Sequence, residues 1–383
     1  MERFFAENPT LQTPYLVMDL DVVCDRYLRL RQALHCADIY YAVKANPDPI
    51  VLRTLANLGS RFDVASIGEL DRCLDLGIDP SVLSFGNTIK HERDIAGAVE
   101  RQVTLFAVDC DEELTKILRQ TTHGTVLVRL ATTSTSAEWP LNDKFGCAPE
   151  QAEHLLLRAA DNGVHVGVSF HVGSQQRDLT AWEAPLAEAA ALAESLAQRG
   201  HQLSTVNLGG GIPGNHLRRT SPIEDYGSAI AQALQRHLGG LNVHYMIEPG
   251  RYLVSDAGII RSEVLLVTEK LIDQGRRWVY LNVGRYNGLA ETEDEAIRYR
   301  MRCPRATGAL MDSVVAGPTC DSADIIYENE PYPLPSDLMI GDYVDVLSAG
   351  AYTASYASVW FNGFEPLKTY HLPASLPVEL PVK

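Results

Sequence analysis

Between residues 18 and 257 short runs of β-branched and aromatic residues recur eight times, separated by stretches of helical length and period. The runs are YYAVKA (40–45), FDVA (62–65), VLSF (82–85), LFAVD (105–109), TVLVRL (125–130), VGVSFHVG (166–173), TVNLGGG (205–211) and VHYMIEPG (243–250). Strict alternation requires parallel strands joined by helical crossovers. A count of eight predicts an α/β fold of the closed (β/α)8 TIM-like barrel type rather than an open doubly wound sheet.

The intervening segments carry their own helix signals. Leu20, Val23, Tyr27, Leu30 and Leu34 recur at three- and four-residue spacings, one apolar helical face with Asp19 or Asp21 as its cap. The segment 180–200 ends in Gly200, which suits a helix stop. After residue 258 the texture changes. SEVLLVTE (262–269), RWVYLNV (277–283), YVDVLS (343–348) and YASVWF (356–361) read as strands separated by Pro, Gly and Asp turns. The predicted organisation is a barrel over 18–257 and a second, C-terminal all-β domain formed by 1–17 plus 258–383. PYLVMD, near the N-terminus, is long enough to supply a strand to either unit.

The chain of 383 residues has 33 Lys+Arg against 49 Asp+Glu, a formal charge of −16. That balance argues against a nucleic-acid partner, which needs clustered cations to replace counterions, and suits a small cationic substrate better. The seven cysteines are scattered singly with no metal-finger spacing, as expected of reduced thiols, and no metal site is expected. MERFFAENPT is no signal peptide and no run approaches a membrane span, so a soluble cytoplasmic protein is expected, without a membrane partner.

Barrel enzymes build their sites at the carboxyl ends of the strands, so the polar run ends have chemical meaning. Lys44 closes the first run, where dehydration at a barrel rim would make its amine nucleophilic toward a carbonyl, although strand position alone equally allows a lysine that snorkels to the surface. His171 follows the sixth run. Gly209, Gly210 and Gly211 follow the seventh and leave backbone N–H groups open to a phosphate, although a tight turn alone explains three glycines equally well. EPGR closes the eighth, with Glu248 at the mouth and Gly250 and Arg251 just beyond. A lysine, a carboxylate and a phosphate-pairing guanidinium fit one ligand that carries a phosphate and a basic ring nitrogen, pyridoxal 5′-phosphate (PLP). In the second domain Cys320 stands beside Asp321, a thiol that can donate a proton next to a carboxylate that can hold an ammonium, although the pair in isolation reads more simply as a buried Cys beside a turn Asp. Tyr352 offers a hydroxyl to a phosphate.

YAVKAN, HVGS, GGG, EPGR, GPTCDSAD and GAYT, in this order over nearly the whole chain, resemble the fold-type III PLP-dependent amino-acid decarboxylases, most of all the bacterial ornithine decarboxylases. The resemblance implies that Lys44 binds the PLP aldehyde covalently, that His171 stacks on the ring and that Glu248 keeps the pyridine nitrogen protonated. It implies that Ser174, Gly211, Arg251 and Tyr352 hold the phosphate, with Gly209 and Gly210 shaping the loop. Asp63 and Arg129 resemble residues that the family places around the cofactor. Cys320 would return a proton to Cα, and Asp321 would grip the distal ammonium. Both would come from the other subunit of a homodimer with shared active sites.

Asp at 321, where diaminopimelate decarboxylases carry Glu, favours a cationic substrate end. In GLAET (288–292), Glu291 and Thr292 stand where the eukaryotic enzymes carry a Tyr-Asp pair at the distal amine, so a substrate contact is expected of them. The resemblance thus implies decarboxylation of L-ornithine to putrescine, a step of polyamine biosynthesis. Lysine remains open as a second substrate, because one CH2 is worth only about 1–3 kcal/mol in a pocket. Glu248 argues against an alanine-racemase-like enzyme, which places an arginine at the ring nitrogen. The presence of Lys44, Glu248, Cys320 and Asp321 argues against a decarboxylase-like regulator without activity.

Overall fold

A computed structural model describes residues 1–132, 137–139 and 144–375. The chain forms two compact units. One comprises Cys24–Pro213 with Thr220–Gly250. The other comprises Met1–Val23, Gly214–Arg219 and the described chain from Arg251 onward. The divisions thus fall at 24 and 250 instead of the expected 18 and 257, and six residues that follow the glycine run belong to the second unit.

The first unit is a closed barrel of eight parallel strands: Ala37–Ala42, Arg61–Val64, Leu83–Phe85, Leu105–Val108, Thr125–Arg129, His165–Ser169, Leu203–Asn207 and His244–Ile247. Each strand pairs with the next, and the last returns to the first in the register Tyr245 to Ala37. The strands are short and nearly all buried, because helices cover their outer faces and side chains fill their inner ones. Tyr40, Ala107, Leu127 and Met246, from four of the strands, make one buried cluster.

The crossover helices start where the sequence supplies caps. Asp48 accepts the Ile50 N–H at 2.8 Å ahead of Pro49. Ser66 accepts the Glu69 N–H, and the Glu69 carboxylate returns to the Ala65 N–H at 2.7 Å. The predicted apolar face of the helix Leu20–Ala33 is buried at Leu20, Val23, Tyr27 and Leu30, as is Leu34 just beyond it.

The first strand is shorter than expected. It ends at Ala42, and Val43–Ala45 form a single 3-10 turn that carries Lys44. The chain turns there because the Tyr41 hydroxyl donates to the Asn46 carbonyl and Asn46 N–H to the Val43 carbonyl.

The second unit is built on an eight-stranded sheet. The expected strands near 262–269, 277–283 and 343–348 are present as Gly258–Lys270, Arg276–Leu281 and Tyr343–Leu347, and PYLVMD supplies Tyr15–Asp19. YASVWF is not a strand. Tyr356, Val359 and Trp360 are exposed, and left-handed φ angles at Trp360 (61°) and Asn362 (51°) turn the chain instead. Sequence reasoning missed Ile325–Pro335, with Pro331, Pro333 and Pro335. Its place at the end of the sheet order explains the prolines, since an edge strand leaves one row of N–H groups unpaired. Among the described residues no helix is long and apolar enough to cross a membrane.

Candidate active site

Six polar side chains lie at or just beyond the carboxyl ends of the barrel strands: Lys44, Asp63, Arg129, His171, Asn207 and Glu248. Lys44 is exposed between buried Val43 and Ala45, so the expected dehydration at the rim is not what the structure supplies. Its ammonium acts electrostatically on the Asp63 and Glu69 carboxyls.

Asp63 is buried, and its Oδ1 has no hydrogen-bond partner among the described residues. Burial first, then the Glu248 charge, push its carboxyl well above the usual carboxylate range, while Lys44 and Arg129 pull the other way. Room for this carboxyl comes from Gly86, where a Cβ would stand 2.1 Å from Asp63 Oδ1.

Adjacent strand ends then fix one another. The Asn207 amide donates to Glu248 Oε1, and its oxygen accepts the Gly209 N–H at 2.9 Å. Glu248 N–H donates to the Gly209 carbonyl at 2.8 Å. Gly209 has φ 66°, and a Cβ there would lie 2.0 Å from the Phe170 carbonyl, so only glycine closes this turn. Gly210 lies against the imidazole of His171, and the Gly211 carbonyl accepts the Gln176 N–H at 2.9 Å. Ser174 opens the strand Ser174–Gln176, and Gly250 is buried at the end of the barrel unit.

His171 is held neutral. Burial, then the Arg129 and Lys44 cations, drive its pKa well below the ordinary imidazole range. Its Nδ1 accepts the Gly173 N–H at 3.0 Å, which leaves the ring proton on Nε2.

In the sheet unit Arg251 opens a four-residue helix, and its guanidinium lies 4.9 Å from the centre of the Tyr352 ring. Glu291 takes both terminal nitrogens of that guanidinium, with Nη1 to Oε2 at 2.8 Å. Burial opposes the Arg251 cation, and the Glu291 carboxylate overrides it. The Thr292 hydroxyl donates to the Leu289 carbonyl at 2.7 Å and is buried. The contact to substrate expected of Glu291 and Thr292 is therefore not what the structure displays: one neutralises Arg251 and the other closes a turn.

Cys320 and Asp321 are both exposed on one loop. Asp321 Oδ1 accepts the Ala323 N–H at 2.8 Å, and burial, then the Asp321 charge, push the Tyr286 hydroxyl above the usual phenol range. Asp324, buried behind them, takes the N–H and hydroxyl of Thr319 on Oδ2 and the Arg285 N–H on Oδ1. Sequence reasoning missed Asn207, Gly86 and Asp324. Asn207 was within reach of it, as a polar residue at the carboxyl end of a strand run. The other two act only through folded neighbours.

The barrel mouth fits PLP: an amine for the aldehyde, a carboxylate for a ring nitrogen, a neutral imidazole face, glycines without side chains, and an orphaned buried Asp63 oxygen. Comparison with known proteins points the same way. A family model described as the pyridoxal-dependent decarboxylase, pyridoxal binding domain, matches residues 20–255. A lysine/ornithine decarboxylase of Selenomonas ruminantium is 34% identical over 360 residues, covering 92% of this chain and 88% of that protein. The crystal structure of a lysine/ornithine decarboxylase from Vibrio vulnificus, complexed with putrescine, is 32% identical with a TM-score of 0.86, over 97% of each chain. That of the Paramecium bursaria Chlorella virus arginine decarboxylase is 26% identical with a TM-score of 0.88, over 97% of this chain and 99% of that one.

Proposed function

The chain belongs to the pyridoxal-dependent decarboxylases that act on basic amino acids, and from that premise we propose that it converts L-ornithine to putrescine and carbon dioxide. The observation that carries the choice of substrate is Asp321, an exposed carboxylate next in sequence to the Cys320 thiol. A carboxylate selects a substrate whose far end is an ammonium. A distal carboxylate, as in diaminopimelate, would meet like charge there.

PLP, when bound, supplies an electron sink for the carbanion left at Cα as CO2 departs. The protein does the rest. Lys44 would take the aldehyde, and His171, neutral and proton-bearing on Nε2, would lie against the ring. Asn207 fixes one oxygen of Glu248, which would keep a proton on the ring nitrogen. Gly209 to Gly211, Ser174, Arg251 and Tyr352 would hold the phosphate, and Asp63, Arg129 and Gly250 would shape the surroundings. Cys320 gives its proton to Cα while Asp321 holds the distal ammonium in place.

Cys320 and Asp321 are proposed to serve the site of a second copy, reciprocally across a symmetric homodimer. Their exposure in the single chain supports this, as does the exposed apolar surface of Tyr356 (48%), Val359 (72%) and Trp360 (59%) in the same unit. A cytoplasmic place in polyamine synthesis follows from that substrate and belongs to the same proposal.

The test is kcat/KM of the pure protein with L-ornithine, L-lysine, L-arginine and meso-diaminopimelate, following CO2 and the product amine. Ornithine should lead and lysine follow by about 10- to 200-fold, the range one methylene allows. A lead for diaminopimelate would overturn the role of Asp321. The visible absorbance of lysine-bound PLP should disappear in Lys44→Ala.

A further inference from the structure

We propose that Asn362 is a positioning residue for Cys320, aiming the thiol and holding its proton until it is delivered to substrate. The inference rests on the reading of Cys320 as the proton donor. Asn362 Oδ1 accepts the Cys320 backbone N–H at 3.0 Å and faces Cys320 Sγ at 3.3 Å. A backbone N–H can only donate, so the side-chain atom that meets it is the amide oxygen and not the nitrogen. The contact with sulfur is therefore a thiol S–H donating to the same oxygen.

The turn that presents Asn362 is specialised for this. Asn362 and Trp360 both have left-handed φ angles, 51° and 61°, a conformation that costs energy in any residue but glycine and that Asn tolerates best. Phe361, between them, packs on Tyr286 with ring centres 4.5 Å apart, and the Ser358 N–H donates to the Tyr286 carbonyl at 2.8 Å. The Tyr286 hydroxyl in turn feels the Asp321 charge. One short turn thus fixes the proposed acid through Asn362 and packs Phe361 on the tyrosine that feels the charge of the ammonium-binding carboxylate. From the other side Asp324 holds Thr319. The exposed thiol is aimed by two clamps, of which Asn362, 42 residues from Cys320 in sequence, is the one that touches it.

The chemistry that Asn362 serves is a proton transfer. The Sγ–H bond breaks, a Cα–H bond forms, and the thiolate takes a proton back from water. An oxygen acceptor favours the thiol over the thiolate. It therefore keeps the acid loaded between turnovers and limits the sulfur to a small arc. Without it, protonation should stray from Cα. Such a turnover ends in an aminoaldehyde, whose oxygen comes from water and whose former nitrogen stays on the cofactor.

Asn362→Gly tests this, because glycine keeps φ 51° without strain while removing the amide. Two readouts are taken on the full-length PLP-loaded protein: the rate at which iodoacetamide modifies Cys320 without substrate, located by peptide mass, and the ratio of aminoaldehyde to amine from L-ornithine. One hydrogen bond predicts about a three- to tenfold rise in both for Asn362→Gly, with KM changed less than about twofold. Asn362→Asp, which keeps an acceptor and adds a charge, should slow alkylation. In a Cys320→Ala background Asn362→Gly should add nothing to the ratio, because it acts through the thiol. If Cys320→Ala shifts the ratio and Asn362→Gly leaves both readouts at parent values, or adds fully to Cys320→Ala, the positioning role is overturned while the acid assignment stands. If Cys320→Ala itself leaves the ratio unchanged, the acid assignment falls and this role falls with it.

Discussion

Replacing Glu291 with Ala should destabilise the sheet unit through Arg251. The two side chains are 7% and 3% exposed and meet as a two-pronged ion pair, so removal of the carboxylate strands a guanidinium away from water. Breaking one side of a buried pair costs about 3–5 kcal/mol, because the remaining charge loses its partner and keeps its desolvation. The surroundings offer little relief. Tyr299 and His216 are buried nearby, and among the described residues neither the Tyr299 hydroxyl nor either ring nitrogen of His216 has a hydrogen-bond partner. Both act on or feel the Arg251 charge. With a urea dependence of about 3 kcal/mol per molar for a chain of this size, the unfolding midpoint should fall by about 1 M. The assay is urea denaturation of the cofactor-free protein, followed by circular dichroism and tryptophan fluorescence. The double variant Arg251→Met with Glu291→Met removes both charges at similar volume and should recover most of the loss. A midpoint within about 0.2 M of the parent for Glu291→Ala, or a double variant less stable than the single, would refute the reasoning.

Gly86→Ala places a methyl group 2.1 Å from Asp63 Oδ1. It should cost about 1–3 kcal/mol, read as a drop in Tm of the cofactor-free protein. His171 and His216 are both depressed well below 6.5, chiefly by burial. A depressed folded-state pKa adds stability that is present above the unfolded value of about 6.5 and lost as pH falls below it, at up to about 1.4 kcal/mol per pH unit for each group. A pH series of Tm should therefore decline below about pH 6.5, and His216→Gln should flatten that slope. Mixing equal amounts of Lys44→Ala and Cys320→Ala chains, each nearly inactive, should restore about a quarter of parent activity. Half of the dimers would be mixed, and each mixed dimer would hold one intact site. No recovery after subunit exchange, checked by mass spectrometry, would remove the shared-site reading.

Much of the barrel was legible in the sequence because parallel strands buried on both faces are written as local apolar runs, and their polar ends stand out against them. All eight strand runs are strands in the structure, and Lys44, His171, the glycine run and Glu248 lie at strand ends as the pattern required. Local pattern failed where a segment's state depends on its neighbours. Ile325–Pro335 is a strand only because it lies at an edge where prolines withhold N–H groups that nothing needs. YASVWF has strand-like composition, but the chain turns there and packs Phe361 on Tyr286 instead.

The identities of the reactive groups, the eightfold alternation and the acidic balance are properties of the chain read in order, since each rests on residue type or on spacing within one element. Partnership is a different kind of information. That Asn207 holds Glu248, that Glu291 belongs to Arg251, and that Asn362 answers to Cys320 are contacts between residues about 40 apart in sequence. Hydrogen bonds and ion pairs depend on distances of about 3 Å, and no spacing along a flexible chain sets such a distance until strand register and turn geometry have closed it.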